Sequence, residues 1–183
     1  MNIIKTEFLG LMIIEPKIFG DSRGYFFESY NERLMSESGI HTIFRQDNQS
    51  FSKYGVIRGL HYQKKPYSQC KLVRVIEGKI FDVALDLRKD STTFGKCFSL
   101  ELSAENKRQL YIPQGFAHGF SVLSEHALIL YKCDNLYNPK YESGVLYNDP
   151  TLAIDWKIDA AHAIVSDKDK VLPIFEELNI DDL

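Results

Sequence analysis

The sequence predicts an all-β fold, an antiparallel sandwich or barrel. Three observations carry this expectation. A period of two dominates the middle of the chain, short strand-like runs recur at nearly regular spacing, and no long helix-patterned run separates them. In Phe81–Arg88, residues Phe81, Val83, Leu85 and Leu87 share one face and Asp82, Ala84, Asp86 and Arg88 the other. The run Lys71–Ile76 precedes it across a glycine-centred turn, Glu77-Gly78-Lys79. Further strands are expected at Cys97–Leu102, Arg108–Ile112, Gly119–Leu123 and Ala127–Cys133. Turn residues stand between these runs in Asp90-Ser91, Ser103–Asn106, Pro113-Gln114-Gly115 and Ser124–His126. Helix is confined to Asn31–Ser38, with Asn31 as N-cap and Gly39 as the stop, and to a turn or two around Pro173–Leu178.

With 183 residues the chain is close to one domain in length, and residues 1–183 are read as a single domain. A hydrophobic fraction of 44% and 13% aromatics exclude disorder. The net charge of -3, from 22 basic and 25 acidic residues, leaves no footprint for nucleic acid or an anionic membrane, so neither is expected as a partner. Cys70, Cys97 and Cys133 are odd in number and widely spaced, which argues against a disulfide framework and a zinc knuckle alike. Met1–Glu7 lacks the basic and apolar regions of a secretory leader, and apolar stretches such as Phe8–Ile14 and Ala127–Tyr131 are too short to span a bilayer. A soluble, cytoplasmic protein is expected.

Three segments are more polar than their strands require. In Arg58–Gln63, the side chains of Arg58, His61 and Gln63 are read onto one face, with Leu60 and Tyr62 opposite and Lys71 following. That face is either a solvated sheet surface, the common fate of charged strand residues, or the lining of a cavity. Ile112–Phe120 fits P-x-G-x-x-H, a turn that delivers His118 onto a strand, as in the second cupin motif. In Ala127–Tyr137, Tyr131 shares a face with Ala127 and Ile129, so it is either a buried structural tyrosine or a cavity residue.

The metal-binding cupins need a first motif of type H-x-H with a carboxylate. Here that place reads His61-Tyr62-Gln63, with cationic Lys71 beyond. Glutamine is a poor ligand and an ammonium repels a divalent ion, so the pocket is read as free of metal. His41, His126 and His162 occupy turn-like or isolated contexts and are expected to face solvent.

The assembled motifs resemble the dTDP-4-dehydrorhamnose 3,5-epimerase family, enzymes of nucleotide-sugar biosynthesis. The matching segments, in family order over about residues 10 to 170, are Phe19–Glu28, Gln46–Asn48, Arg58–Gln63, Lys71–Arg74, Phe81–Arg88, Leu102–Asn106, Ile112–Phe120, Tyr131-Lys132, Asn148–Pro150, Ile154–Trp156 and Ser166–Asp169. The resemblance implies a double-stranded β-helix, the cupin-type jelly roll, in homodimers that exchange N-terminal strands. It also implies cofactor-independent epimerisation at carbons 3 and 5 of dTDP-4-dehydro-6-deoxy-glucose. Carried over by position, the general base falls on His61 with Asp169 behind it, the acid of the opposite face on Tyr131, and the group beside the 4-keto oxygen on Lys71. Substrate contacts fall on Arg23, Glu28, Gln46, Asp47, Asn48, Arg58, His118, Glu142 and Lys168, and the residue stacking on thymine on Tyr137. Two departures are visible: Cys70 stands where relatives often carry glycine or another small residue, and Tyr147 replaces a common tryptophan. Oxidation of Cys70, next to Lys71, is expected to inactivate.

These residue types suit one reaction. A proton next to a ketone needs a base poised near neutral pH, and a carboxylate behind a histidine fixes its tautomer. The oxyanion developing on carbon 4 needs a fixed donor, and inversion needs a second proton source on the other face. Arg23, Arg58 and Lys168 suit a diphosphate. Other readings stay open at this level. An epimerase acting at carbon 3 or 5 alone, on a related 4-keto sugar, shares every residue named. A ketoisomerase departs from the His61, Lys71 and Tyr131 pattern, a non-catalytic nucleotide-sugar module would have lost a base or acid, and a metal cupin would need the missing ligands.

Overall fold

In the computed structural model, which describes residues 1–179, two antiparallel sheets face each other. The first contains β1 (Asn2–Lys5), β2 (Met12–Glu15), β5 (Gln46–Lys53), β7 (Lys71–Glu77), β10 (Gln109–Ile112) and β12 (His126–Cys133), in the order β1-β2-β10-β7-β12-β5. The second contains β6 (Val56–Gln63), β8 (Lys79–Asp86), β9 (Cys97–Ser103), β11 (Phe116–Val122) and β13 (Glu142–Gly144), in the order β13-β6-β11-β8-β9. A short β14 (Ile164–Val165) joins β6 in parallel, and β3 (Phe19–Asp21) with β4 (Gly24–Phe26) makes a separate hairpin.

From β5 to β13 the chain changes sheet at every connection except β8 to β9. That alternation winds the strands into a double-stranded β-helix, the cupin-type jelly roll. It also corrects the reading of Glu77-Gly78-Lys79. The turn carries the chain from one sheet to the other instead of closing a hairpin, because β7 pairs with β10 and β12 while β8 pairs with β9 and β11. Gly78 sits there at φ +76, and a Cβ would run into the His126 carbonyl oxygen.

All the strands expected from the sequence form, within two or three residues of the expected limits. Of the strands not foreseen, β1 to β4, β13 and β14 are no longer than four residues and too short for a period to show, while β5 is eight residues long but polar on nearly every position of both faces, so no hydrophobic alternation marks it. Helix α1 (Glu32–Glu37) is capped as expected: Asn31 Oδ1 accepts from the Leu34 N–H at 3.2 Å, and Gly39 ends it at φ +91. A 3-10 turn, Phe175–Glu177, falls within the expected C-terminal segment. No helix among the described residues is long and apolar enough to cross a membrane.

Three apolar clusters hold the layers. Val73, Val75, Ile80, Ala84, Leu110, Phe116, Phe120 and Ile129 fill the space between the sheets. Met35 and Ile40 close α1 over Leu72 and Tyr111 on the outer face of the first sheet. The apolar face of β8 packs outward, with Val83 and Leu85 under Trp156 and Val145 of the C-terminal segment. The other face of β8, carrying Asp82, Ala84 and Asp86, therefore looks into the interior. A polar strand face is here the inner one.

Asp86 shows what such burial requires. Its fully buried carboxylate accepts from Arg88 Nε (2.8 Å) and Nη2 (2.7 Å), Ser91 Oγ (2.6 Å) and Thr93 Oγ1 (2.7 Å), tying down the β8–β9 connection. Burial raises its pKa, but these donors outweigh burial and bring it down to about 2. Because the folded value lies below the unfolded one, this stabilisation is complete above about pH 4 and is lost as pH falls toward 2. Asp86→Asn is expected to cost about 2 kcal/mol at neutral pH and to flatten the loss of stability across that interval. Denaturant unfolding at a series of pH values checks both; a variant as stable as the parent at pH 7 would refute it.

Candidate active site

The site begins with an irregularity in β6. Strict alternation would send Arg58 and His61 to opposite faces. The register instead pairs His118 with His61 and Phe120 with Arg58, so β6 carries one extra residue there. Gly59 takes φ +118 at this bulge, and a Cβ would come within 2.6 Å of Gly119 Cα and 2.8 Å of the His118 carbonyl oxygen. The bulge returns Arg58 and His61 to the same interior face, where Arg58 Nε donates to Ser52 Oγ at 3.0 Å.

The C-terminal segment comes back under β6 and places Asp169 behind His61. The carboxylate, 3% exposed, lies 2.7 Å from His61 Nε2 through Oδ1 and accepts the Gly59 N–H at 3.3 Å through Oδ2. Burial opposes its ionisation, but the bonds from His61, Gly59 and Ser166 prevail and its pKa falls below the usual carboxylate range. An ionised Asp169 can only accept, so it receives the His61 Nε2–H as a hydrogen bond. That leaves Nδ1 as the free lone pair, the arrangement of an oriented general base.

Lys71 opens β7, and Tyr131 and Cys133 lie on β12 beside it, with Lys71 paired to Cys133. Burial lowers the pKa of Lys71, with Cys133, Asp82 and Glu142 pulling the other way. Burial raises that of Tyr131, which keeps its phenol protonated. His118 is buried with Nε2 2.9 Å from Asp82 Oδ2; burial, Lys71 and His61 outweigh Asp82 and lower its pKa, so it stands as a neutral imidazole. Asp82 is fully buried, and its second oxygen has no hydrogen-bond partner.

Two adjoining cavities share His61, Lys71 and Tyr131. The outer one, about 310 Å³, is lined also by Gln46, Asn48, Gln63, Gln69, Tyr137 and Glu142. The inner one, about 140 Å³, is lined by Ser50, Arg58, His118, Gly119 and Phe120. At the outer mouth Tyr137 presents a half-exposed ring, its N–H donating to Gln46 Oε1 (2.8 Å) and its hydroxyl to Glu142 Oε2 (2.6 Å). Lys168 Nζ meets the same Glu142 oxygen at 2.5 Å. The sequence-derived residues brought together are thus His61, Asp169, Lys71, Tyr131, Gln46, Asn48, Arg58, His118, Tyr137, Glu142 and Lys168. The Arg58–Gln63 face is a cavity lining, and the solvated alternative is set aside. Arg58 lines the inner cavity on the side opposite Tyr137 and is itself exposed, so that cavity reaches solvent at the Arg58 end.

Three expected contacts are elsewhere in this chain. Arg23 lies on the exposed β3–β4 hairpin, paired with Asp21 at 2.6 Å, and Glu28 accepts from Asn31 at 3.0 Å. Alternation along β5 turns Asp47 to the outer face, opposite to Gln46 and Asn48, where Lys132 holds it at 2.9 Å. Residues not foreseen include Asp82, readable only once β8 is seen to point its polar face inward. Gln63 is another: its amide takes the Tyr67 and Leu136 carbonyls (2.8 and 3.2 Å) and the Asn138 N–H (2.7 Å), fixing the loop that carries Tyr137. Its place on the polar face of Arg58–Gln63 was the available signal.

The donors match no metal geometry. His61 and His118 each commit Nε2 to a carboxylate, the cationic Lys71 lines the same cavity, and among the described residues no three His, Cys, Asp or Glu side chains are grouped to hold an ion. Cys70 is buried, with its thiol pushed up to about 12, first by burial and then by Asp134, so it is a poor thiolate at neutral pH. All three cysteines are free.

The family model of dTDP-4-dehydrorhamnose 3,5-epimerase matches residues 5–177. The chain is 53% identical over 170 residues to the dTDP-4-dehydrorhamnose 3,5-epimerase of Shigella flexneri, covering 92% of this chain and 93% of that protein. Its backbone is similar to the crystal structure of the same enzyme from Elizabethkingia anophelis, with TM-score 0.93, 54% identity and 98% of each chain covered. It is also similar to the 3,5-epimerase of Legionella pneumophila solved in complex with dTDP-4-keto-L-rhamnose, with TM-score 0.94, 48% identity, and 100% and 96% of the two chains covered. With a match that runs nearly its whole length, about half of the residues identical and the same jelly roll, this chain belongs to the dTDP-4-dehydrorhamnose 3,5-epimerase family.

Proposed function

We propose that the chain inverts carbons 3 and 5 of dTDP-4-dehydro-6-deoxy-glucose, giving dTDP-4-dehydro-rhamnose for dTDP-L-rhamnose biosynthesis. The observation that carries this reading is the His61–Asp169 pair facing Lys71 and Tyr131 across one cavity. His61 Nδ1 takes the proton from the carbon next to the ketone, and the electron pair moves onto the 4-oxygen. Lys71 donates to that oxyanion, a fixed cation placed where the charge develops. Tyr131 gives its phenolic proton to the opposite face of the same carbon, which inverts it. Exchange with water then returns a proton to Tyr131 and removes one from His61, and the cycle repeats at the second carbon. Tyr137 offers a ring face to the thymine at the mouth. Gln46, Asn48 and Glu142 line the nucleotide path, Lys168 meets the diphosphate, and Arg58 and His118 hold the sugar end. Incubation with this substrate in deuterated water, with the label located by NMR, tests the reading. Deuterium at both carbons of an inverted product is expected; label at one carbon alone would make the chain a mono-epimerase.

The working form is read as a homodimer with exchanged N-terminal segments in the cytoplasm. The β3–β4 hairpin supports the exchange: Phe19, Tyr25 and Phe26 are 53%, 62% and 66% exposed around Arg23, an aromatic arm with little to cover it in its own subunit. Three free thiols accord with a reducing compartment. In such a dimer Arg23 and Glu28 complete the neighbour's site. Inactive Arg23→Ala and His61→Ala proteins, mixed under conditions of subunit exchange, are then expected to regain activity in hybrid dimers. No recovery after demonstrated exchange would end the idea of a shared site.

Metal is not needed for this route, since Lys71 takes the place of a Lewis acid at the 4-oxygen. Activity is expected to withstand exhaustive chelation. A loss that one particular ion restores would overturn the role given to Lys71.

A further inference from the structure

Four side chains of β5 point inward: Gln46, Asn48, Ser50 and Ser52. Three have protein partners. Gln46 donates to Asn48 and accepts from Tyr137, Asn48 also donates toward Cys133 Sγ, and Ser52 accepts from Arg58. Ser50 Oγ is buried with no hydrogen-bond partner, and Ser50 lines the inner cavity with His61, Lys71, His118 and Tyr131. Of the residues lining that cavity it is the one hydrogen-bonding side chain that the mechanism above leaves unused. A buried hydroxyl without a partner is costly, and one aimed into a substrate cavity is paired when the substrate arrives.

We propose that Ser50 hydrogen-bonds a free ring hydroxyl of the sugar and selects for the hydroxylated hexose, an assignment that rests on the epimerase reading. The order of groups along the cavities supports it. The nucleoside end is given to the mouth at Tyr137, so the sugar lies beyond, at His61, Lys71 and Tyr131. Ser50 stands two residues further in than Asn48, roughly 7 Å along the strand. In a 4-dehydro-6-deoxy sugar joined to a nucleotide at carbon 1, only carbons 2 and 3 bear free hydroxyls. The 4-oxygen is given to Lys71, and Phe120 offers the inner cavity an apolar wall for the 6-methyl group. A serine is suited to this task because it both donates and accepts, and so follows a hydroxyl that swings as carbon 3 inverts.

Ser50→Ala tests the assignment. Removing an unpartnered hydroxyl leaves no orphan behind, so the thermal midpoint of the free protein is expected to stay level or rise. Affinity for dTDP, measured by calorimetry, is expected to stay within twofold, because dTDP carries no sugar ring at that place. With dTDP-4-dehydro-6-deoxy-glucose, kcat/KM is expected to fall about 10-fold, as for loss of one neutral hydrogen bond. That penalty is expected to vanish with either the 2-deoxy or the 3-deoxy analogue, scored by deuterium uptake at carbon 5, which names the hydroxyl bound. A matching loss of dTDP affinity would assign Ser50 to the diphosphate and overturn the proposal, as would an unchanged kcat/KM or a penalty kept with both analogues. Failure of the wild-type protein itself to exchange deuterium into the substrate would overturn the epimerase reading, and this assignment with it.

Discussion

His61→Ala is expected to stop deuterium uptake at both carbons, with a loss of at least ~10²-fold and up to about 10⁴-fold in the rate of exchange. One imidazole faces the shared cavity with a free Nδ1, while His118, the other histidine there, is neutral and bound to Asp82. A single base must therefore serve both proton removals. The substitution also strips the buried Asp169 carboxylate of a principal partner, leaving it the Gly59 N–H and the Ser166 contact. Some stability is lost with it, about 1–3 kcal/mol for a buried acceptor deprived of its donor. His61→Asn separates the two effects, since its amide can still donate toward Asp169 but removes no proton. Both variants are expected to be equally inactive while the asparagine variant is the more stable. Uptake that persists at one carbon in a folded variant would mean that a second group abstracts that proton.

Tyr131→Phe is expected to split abstraction from inversion. The base, Lys71 and nearly all of the ring volume remain, so folding and binding change little. The enolate still forms, and His61 can return its proton, or one exchanged with solvent, to the face it came from. Deuterium uptake is expected to persist at one or both carbons while net inversion falls by about 10²-fold or more. NMR of the recovered substrate gives exchange and configuration in one measurement. Inversion near the wild-type rate would make Tyr131 a structural tyrosine. Loss of exchange and inversion together, with binding intact, would show that its hydroxyl is needed to form the enolate.

Much of the site was legible because each piece is a short segment with its own chemistry. His61 and Lys71 flank one turn region, Pro113-Gln114-Gly115 delivers His118, and Tyr131 follows an alternating run. Asp169 was legible only by resemblance. Its partner lies 108 positions away, and nothing local in Ser166–Asp169 distinguishes a carboxylate behind a histidine from an exposed turn residue. Asp47 stands apart from the cavity residues for a different reason. It stands in an informative segment, yet alternation gives the middle residue of Gln46–Asn48 to the outer face, and Lys132 holds it there.

The sequence by itself determined the all-β class, the longer alternating strands, the capped helix, the polar segments and, through motif order, the family. These are properties of spacing and of residue type, which local physics reads directly. The tertiary structure decided which side of each strand is inside. The apolar face of β8 is turned outward beneath Trp156, and its aspartate face inward toward His118, because both faces of this sheet are covered and hydrophobicity alone does not choose between them. It also decided that Arg58 and His61 look the same way, through one extra residue at Gly59 that β11 accommodates only without a Cβ. Pairing across sheets is fixed by packing between residues far apart in the chain, and that is where the sequence ceased to specify the site.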